Sequence, residues 1–236
     1  MRRDQFSIDD MTRAMPGHAP HRAYVGQPQR YDVMGASQFA LLFLLGLRER
    51  HRLLDFGCGS LRLGRLAIPY LAADRYFGVD PEAELIEAGF AHELGDDIRS
   101  LKRPRFDHNA EYRVDVFGER FDFIIAQSVF SHTGPNATRR GLKAFAESLA
   151  PGGLVLVNLL LGDPAPGADA VEWAYPACVP YHPDQVIALA ADAGLAARAC
   201  PWPHPGLNWF VMASSDAELP SSLSLGALRV APPSWD

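Results

Sequence analysis

Leu53-Leu54-Asp55-Phe56-Gly57-Cys58-Gly59-Ser60-Leu61-Arg62-Leu63-Gly64 decides how this chain is read. An apolar pair runs into an acid, and two glycines one residue apart follow. That order predicts a strand, a tight turn and the start of a helix. Gly57 and Gly59 lack Cβ atoms, so the backbone there turns sharply and lets a ligand approach. Leu63, Leu66, Ala67, Tyr70 and Leu71 continue at helical spacing, which predicts one buried helix face. Pro69 lies inside that pattern and predicts a kink or an early end. Arg75-Tyr76-Phe77-Gly78-Val79-Asp80 then reads as a second strand ending in an acid. The unit is β-α-β with an acid about 20 residues beyond the glycines, as in nucleotide-binding crossovers.

The ligand class turns on what is missing. A dinucleotide fingerprint needs a third glycine at position 62, which is Arg62, and Gly64 comes two residues late. Asp55 would repel a pyrophosphate and suits a cationic head such as an ammonium group. These residues resemble the first motif of the class I S-adenosylmethionine-dependent methyltransferases: apolar-apolar-acid-x-Gly-x-Gly. The family's usual next glycine falls on Leu61. Val79-Asp80, Phe121-Asp122 and Pro151-Gly152-Gly153 extend the resemblance in order, over roughly residues 36–215.

The resemblance implies a Rossmann-like, doubly wound α/β fold. Its sheet would be mostly parallel and seven-stranded, with helices on both faces and an antiparallel edge strand. It implies S-adenosylmethionine as cofactor and methyl transfer to a small organic molecule at oxygen or nitrogen. Cofactor contacts are expected from Asp55, Phe56, Gly57, Cys58, Gly59, Ser60, Leu61 and Arg62, from Asp80 with Pro81, and from Gln127, Ser128 and Val129. Asp80 would hold the ribose hydroxyls, and Asp55 would sit near the methionine ammonium. Arg62, placed at the helix start, either pairs with the methionine carboxylate or stands solvated. The alternatives are an NAD(P)-linked Rossmann oxidoreductase and a protein that binds S-adenosylmethionine without methylating.

Composition narrows the classes. With 236 residues, 48% hydrophobic and 21% charged, the chain has the size and balance of one large globular domain or of a domain with a cap. A net charge of −6 argues against nucleic acid as the main partner. Cys58, Cys178 and Cys200 form no disulfide framework, which fits a reducing compartment and a cytoplasmic protein. Apolar runs such as Leu154 to Leu161 are too short to span a bilayer. No cluster has metal-ligand spacing, so no metal is expected. A homodimer is compatible with the sequence, which fixes no oligomeric state.

Three regions are expected: residues 1–35, an N-terminal segment acting as a lid with Tyr24 and Tyr31; residues 36–215, the methyltransferase domain; and residues 216–236, a tail. Ser37 is expected to cap a buried helix running to Gly46, with Gln38 either a surface residue or a ligand contact. The third strand lies near Arg105–Asp107 or Tyr112–Val114, so the adenine contact stays open among Asp107, Asn109 and Asp115. Phe121 to Gln127 is a buried strand. Pro135 opens the next helix, Pro151-Gly152-Gly153 makes a turn, and Gly153 to Leu161 is the fifth strand. Residues 162–181, with Trp173 and Tyr175, form either a covering loop or a substrate-side wall. Leu195–Cys200 and Asn208–Ala213 supply the last two strands. His132, five residues past the fourth strand, is the candidate general base, against a plain role in loop hydrogen bonding.

Overall fold

The computed structural model describes residues 20–229. The chain is a mixed α/β protein, a central sheet flanked by helices with one antiparallel edge. It divides into two compact units, residues 1–110 and 111–236. The part of the expected lid before Pro20 and the tail beyond Arg229 lie outside the described residues.

The first unit carries three parallel strands, β1 (Leu53–Phe56), β2 (Tyr76–Val79) and β3 (Arg105–Asp107). β2 lies between the others, with Leu53 opposite Tyr76 and Gly78 opposite Phe106. All residues of β1 and β2 are buried, as continuous apolar runs in parallel sheets require. A short helix α1 (Pro20–Tyr24) precedes α2 (Tyr31–Leu44), which starts six residues before the expected cap at Ser37. Tertiary contacts set that start. The Tyr31 hydroxyl donates to the Ser60 carbonyl at 2.8 Å. Gly35 lies so close to the Arg62 carbonyl that a Cβ would come within 2.4 Å of it. The C-terminus matches expectation: Leu47 N–H bonds Leu42 O at 2.9 Å, and Gly46 turns with φ +106°.

α3 (Gly64–Tyr70) begins later than expected and ends one residue past Pro69. Residues 57–63 form turns instead, so Arg62 stands in the loop and not on a helix. Leu61 is the cause. Its φ is +61°, a left-handed conformation that costs a side-chain-bearing residue roughly 1–2 kcal/mol. Here the family's glycine would be unstrained. Two glycines far apart in sequence make the space that Leu61 fills. A Cβ on Gly64 would come within 3.0 Å of the Leu61 Cβ, and one on Gly89 within 2.8 Å of its Cγ. α4 (Ala83–Gly89) then runs into a π-helical turn (Phe90–Leu94) and α5 (Asp96–Lys102).

In the second unit, β4 (Phe121–Ala126) pairs in parallel with β5 (Leu149–Leu161). α6 (Pro135–Ser148) connects them, with Pro135 at its first turn as expected. Pro151-Gly152-Gly153 is not a separate turn. It is absorbed into β5, where the register with β4 shifts between Phe121 and Phe123 and Gly152 takes φ +72°. β6 (Pro180–Tyr181) adds two residues beside the end of β5. α7 (Pro183–Asp192) leads to β7 (Ala196–Cys200) and β8 (Asn208–Ala213). β8 lies between β5 and β7 and is antiparallel to both, as the expected last strand. The expected tail contains a short helix α8 (Ser222–Gly226), and Arg198 on β7 bonds both Asp216 and the Pro220 carbonyl nearby.

Leu61→Gly tests the balance at the loop. The variant relieves the left-handed strain but empties a fully buried site, and truncating such a leucine costs about 2–5 kcal/mol. Packing outweighs strain, so urea unfolding should show a net loss of about 1–3 kcal/mol. A variant more stable than wild type would mean that strain dominates.

Candidate active site

The first unit gathers the expected cofactor residues around the loop after β1. Gly57 and Gly59 have φ of +76° and +51°. Gly57 N–H and Cys58 N–H both bond the Val79 carbonyl, tying the loop to the end of β2. Asp80 completes the tie. Its carboxylate, 1% exposed, accepts Gly59 N–H at 2.9 Å and Glu82 N–H at 3.0 Å. Asp80 thus braces the loop and the turn around Pro81. At the end of β3, Asp107 accepts hydrogen bonds from the backbone and side-chain amides of Asn109, and His108 Nδ1 lies 3.0 Å from the Asp80 carbonyl. Of the three candidates for the adenine contact, Asp107 and Asn109 therefore adjoin this brace. Asp115 belongs to the second unit, in a 3-10 turn at Asp115–Phe117.

Asp55, the third residue of β1, is buried. The Tyr76 hydroxyl donates to its Oδ2 at 2.7 Å. Burial pushes its carboxyl up to about 7, the nearby Asp80 charge adds to the rise, and Tyr76 and Arg62 oppose it. Burial likewise raises the Tyr76 and Cys58 acids well above their usual range. Sequence reasoning missed Tyr76, because nothing in the second strand's apolar pattern marks its hydroxyl as the partner of Asp55.

A strap made of α1 and the residues after it covers the loop. Val25 Cγ1 lies 2.5 Å from where a Gly59 Cβ would stand. Arg62 Nη1 donates to the Val25 carbonyl at 2.7 Å, so in this structure Arg62 latches the strap. The strap is anchored at Glu93, which accepts Arg22 Nε at 2.6 Å and Nη2 at 2.8 Å and lies 2.8 Å from His21 Nε2. Tyr24 is buried, and the Arg22 guanidinium lies over the Tyr31 ring, 4.6 Å from its centre. Gln38 is buried, not a surface residue. Its Oε1 accepts no hydrogen bond. It shares a helix face with Tyr31 and Gly35, the residues that touch the loop.

In the second unit, Gln127, Ser128 and Val129 follow β4. Ser128 takes φ +57° and donates its N–H to Asn158 Oδ1 on β5 at 2.7 Å. This explains the polar interruption in an otherwise apolar strand. Gln127 Nε2 lies 3.5 Å from His204 Nε2. His132 ends a 3-10 turn (Phe130–His132) and is buried. Its Nδ1 is 2.7 Å from the Ala177 carbonyl, which can only accept. The proton therefore sits on Nδ1, and Nε2 carries the lone pair. Residues 162–181 are stitched to the same turn: Ala174 N–H bonds the His132 carbonyl and Val179 N–H the Ser131 carbonyl. Trp173 and Tyr175 flank the imidazole, at 5.6 and 5.0 Å between ring centres. The Tyr181 hydroxyl bonds Thr133 and Thr138 and holds the base of this segment, a role no spacing in the sequence announced.

Residues 54–155 match the family described as a methyltransferase domain. Solved structures share the fold. A magnesium protoporphyrin IX methyltransferase from Synechocystis with bound S-adenosylhomocysteine superposes with a TM-score of 0.59 at 13% identity, covering 79% of this chain and 86% of that one. The pyocyanin biosynthetic protein PhzM gives 0.63 at 17%, covering 89% and 62%. A putative O-methyltransferase from Nostoc punctiforme gives 0.61 at 18%, covering 81% and 58%. Over most of its length this chain shares the fold of these methyltransferases. Magnesium protoporphyrin IX methyltransferase and the glycopeptide N-methyltransferase MtfA were solved with S-adenosylmethionine bound, and the first unit's residues suit such a ligand. Two buried acids and the unsatisfied Gln38 oxygen offer acceptors to a cation and to hydroxyls. Among the described residues, no helix is long and apolar enough to cross a membrane.

Asp55 makes the free enzyme sensitive to pH. Its carboxyl titrates near 3.9 when unfolded and at about 7 when folded. The stability this gives is fully present below pH 4 and is lost as pH rises toward 7, by at most about 4 kcal/mol. Asp55→Asn keeps the shape and an acceptor for Tyr76 without the charge. Thermal unfolding should show this variant gaining on wild type as pH rises from 4.5 to 7.5. A constant difference across that range would show that Asp55 ionises normally.

Proposed function

We propose that the enzyme methylates a small organic molecule at oxygen or nitrogen, with His132 as general base. The observation that carries this reading is the fixed imidazole tautomer. The Ala177 carbonyl holds the proton on Nδ1, so Nε2 accepts. The fold-sharing proteins act on small molecules by name: a protoporphyrin, and a glycopeptide in the N-methyltransferase MtfA, which gives a TM-score of 0.57 at 14% identity.

Bound S-adenosylmethionine supplies a methyl already activated on a sulfonium. What remains for the chain is binding, alignment and one proton. Residues Asp55–Arg62, Asp80 and Pro81, and Gln127–Val129 are assigned to the cofactor. Asp80 faces the ribose hydroxyls and Asp55 the ammonium. Trp173 and Tyr175 contact the acceptor, and Tyr24, Tyr31 and the strap exclude water. His132 Nε2 takes the proton as the acceptor atom gains the methyl, the S–CH3 electron pair stays on sulfur, and solvent later removes the proton. Alignment contributes on the order of 7–11 kcal/mol in favourable systems, so the base supplies the smaller share.

Two measurements check these roles. His132→Ala should lower kcat on the order of 10²-fold while S-adenosylmethionine affinity stays within twofold. A large loss of affinity would make His132 a support of the fold instead. The acceptor comes from a mass-spectrometric screen of metabolite pools for products that gain one methyl group. For the cofactor, calorimetry between pH 5.5 and 7.0 keeps the ligand ammonium charged while Asp55 ionises. Affinity should tighten about tenfold over that range in wild type and stay flat in Asp55→Asn. A flat wild-type profile would remove the ammonium from Asp55.

A further inference from the structure

We infer that Glu93 is a positioning residue for the cofactor: by anchoring the strap over the glycine loop, it slows the release of bound S-adenosylmethionine. The inference rests on the methyl-transfer reading and adds to it a residue remote from the reacting atoms.

The anchor supplies the first argument. Glu93 stands in the π-helical turn after α4, with its side chain 6% exposed. Its donors come from α1. Arg22 meets it as a fork, Nε to Oε1 at 2.6 Å and Nη2 to Oε2 at 2.8 Å, and His21 Nε2 lies 2.8 Å from Oε1. The His21 ring is also stacked on His92, with centres 4.9 Å apart. Burial by itself would raise the Glu93 carboxyl, but its bonds to Arg22 and His21 hold it below its ordinary value. The anchor is therefore charged, and a guanidinium fork on a carboxylate is among the stronger hydrogen-bonded pairs.

The frame supplies the second argument. The turn begins where α4 ends at Gly89, and Gly89 packs against the loop: a Cβ there would come within 2.6 Å of the Ser60 carbonyl. The turn closes with Gly95 N–H on the Phe90 carbonyl at 2.7 Å. Such π-helical turns frequently mark functional sites. Glu93 and the loop thus belong to one packed body, so a strap fixed to Glu93 is fixed relative to the loop.

The reach supplies the third. α1 has five residues, too few to persist as a helix in water without tertiary contacts. Its place is set by the Glu93 joint on one side and by the loop on the other. Val25 follows α1 directly, and its Cγ1 lies 2.5 Å from where a Gly59 Cβ would stand, so it packs on the bare backbone of the loop. Arg62 Nη1 holds the Val25 carbonyl at 2.7 Å. Gly59 and Arg62 are among the residues assigned to the cofactor. Loss of the Glu93 charge weakens the hold of the strap and leaves the residues of the loop unchanged.

The test follows labelled S-adenosylmethionine leaving the full chain during a chase with unlabelled S-adenosylmethionine. Glu93→Gln keeps the size of the side chain and removes its charge. It should release the ligand about tenfold faster than wild type, while association changes less than about threefold. Arg22→Ala should act alike, and the double variant should be no faster than the faster single one, since both cut one joint. Glu93→Asp, which keeps the charge, should lie closer to wild type. Hydrogen exchange of residues 21–26 should quicken in Glu93→Gln while β1 and β2 exchange as in wild type, which separates a freed strap from a loosened fold. Release at the wild-type rate would overturn the inference. So would equal acceleration of association and release, additive effects in the double variant, or exchange that quickens over β1 and β2 as well. If wild type binds S-adenosylmethionine, such results remove only the role of Glu93. If wild type binds none, the methyl-transfer reading falls, and this inference with it.

Discussion

The Asp80 carboxylate holds the first unit's site together. It is buried, and a buried charge is tolerated only when it is fully hydrogen-bonded. The N–H groups of Gly59 and Glu82 meet that requirement from opposite sides. Its own N–H reaches the Asp107 carbonyl at 3.1 Å. One residue thus fixes the loop after β1, the turn after β2 and the end of β3. A glycine loop is floppy by composition, and this brace gives it a single shape before any ligand arrives.

That shape is costly, and the costs cluster at the loop after β1. Leu61 is held left-handed there. Asp55 is buried within range of a second acid, with its carboxyl at about 7. Strain and unfavourable charge at such positions are stable only when the surroundings over-determine them. Here the surroundings are Gly64, Gly89 and the Tyr76 hydroxyl. A cationic ligand head relieves the second cost directly, because it favours the ionised form of Asp55. The strap works in the same direction, covering the loop through Val25 and Arg62 with its far end fastened to Glu93.

Much of this was legible in the sequence, for physical reasons that differ by element. β1 and β4 announce themselves because buried parallel strands are continuous apolar runs. β3 stayed ambiguous because it is three residues long and only half buried, so Arg105–Asp107 carries no hydrophobic signal. The starts of α2 and α3 were misplaced because neither is set by a local cap. One follows the Tyr31–Ser60 contact and the other the left-handed Leu61. The Pro-Gly-Gly turn dissolved into β5 because a register shift accommodated it. The candidate residues Asp55, Asp80 and His132 were visible by type and position. Their partners were not: Tyr76, Gly59 and Ala177 lie 21, 21 and 45 residues away, beyond any periodicity.

The second unit follows a different logic. In hydrolases that use a Ser-His-Asp triad, an acid orients the histidine and stabilises its charged form, because the attacking hydroxyl is a poor acid. Here a backbone carbonyl orients it, which sets direction and tautomer without adding charge. The loop that supplies this carbonyl also supplies Trp173 and Tyr175. Orientation of the imidazole and the two rings packed against it are therefore carried by one segment. A change of length in residues 162–181 would move the imidazole and both rings together.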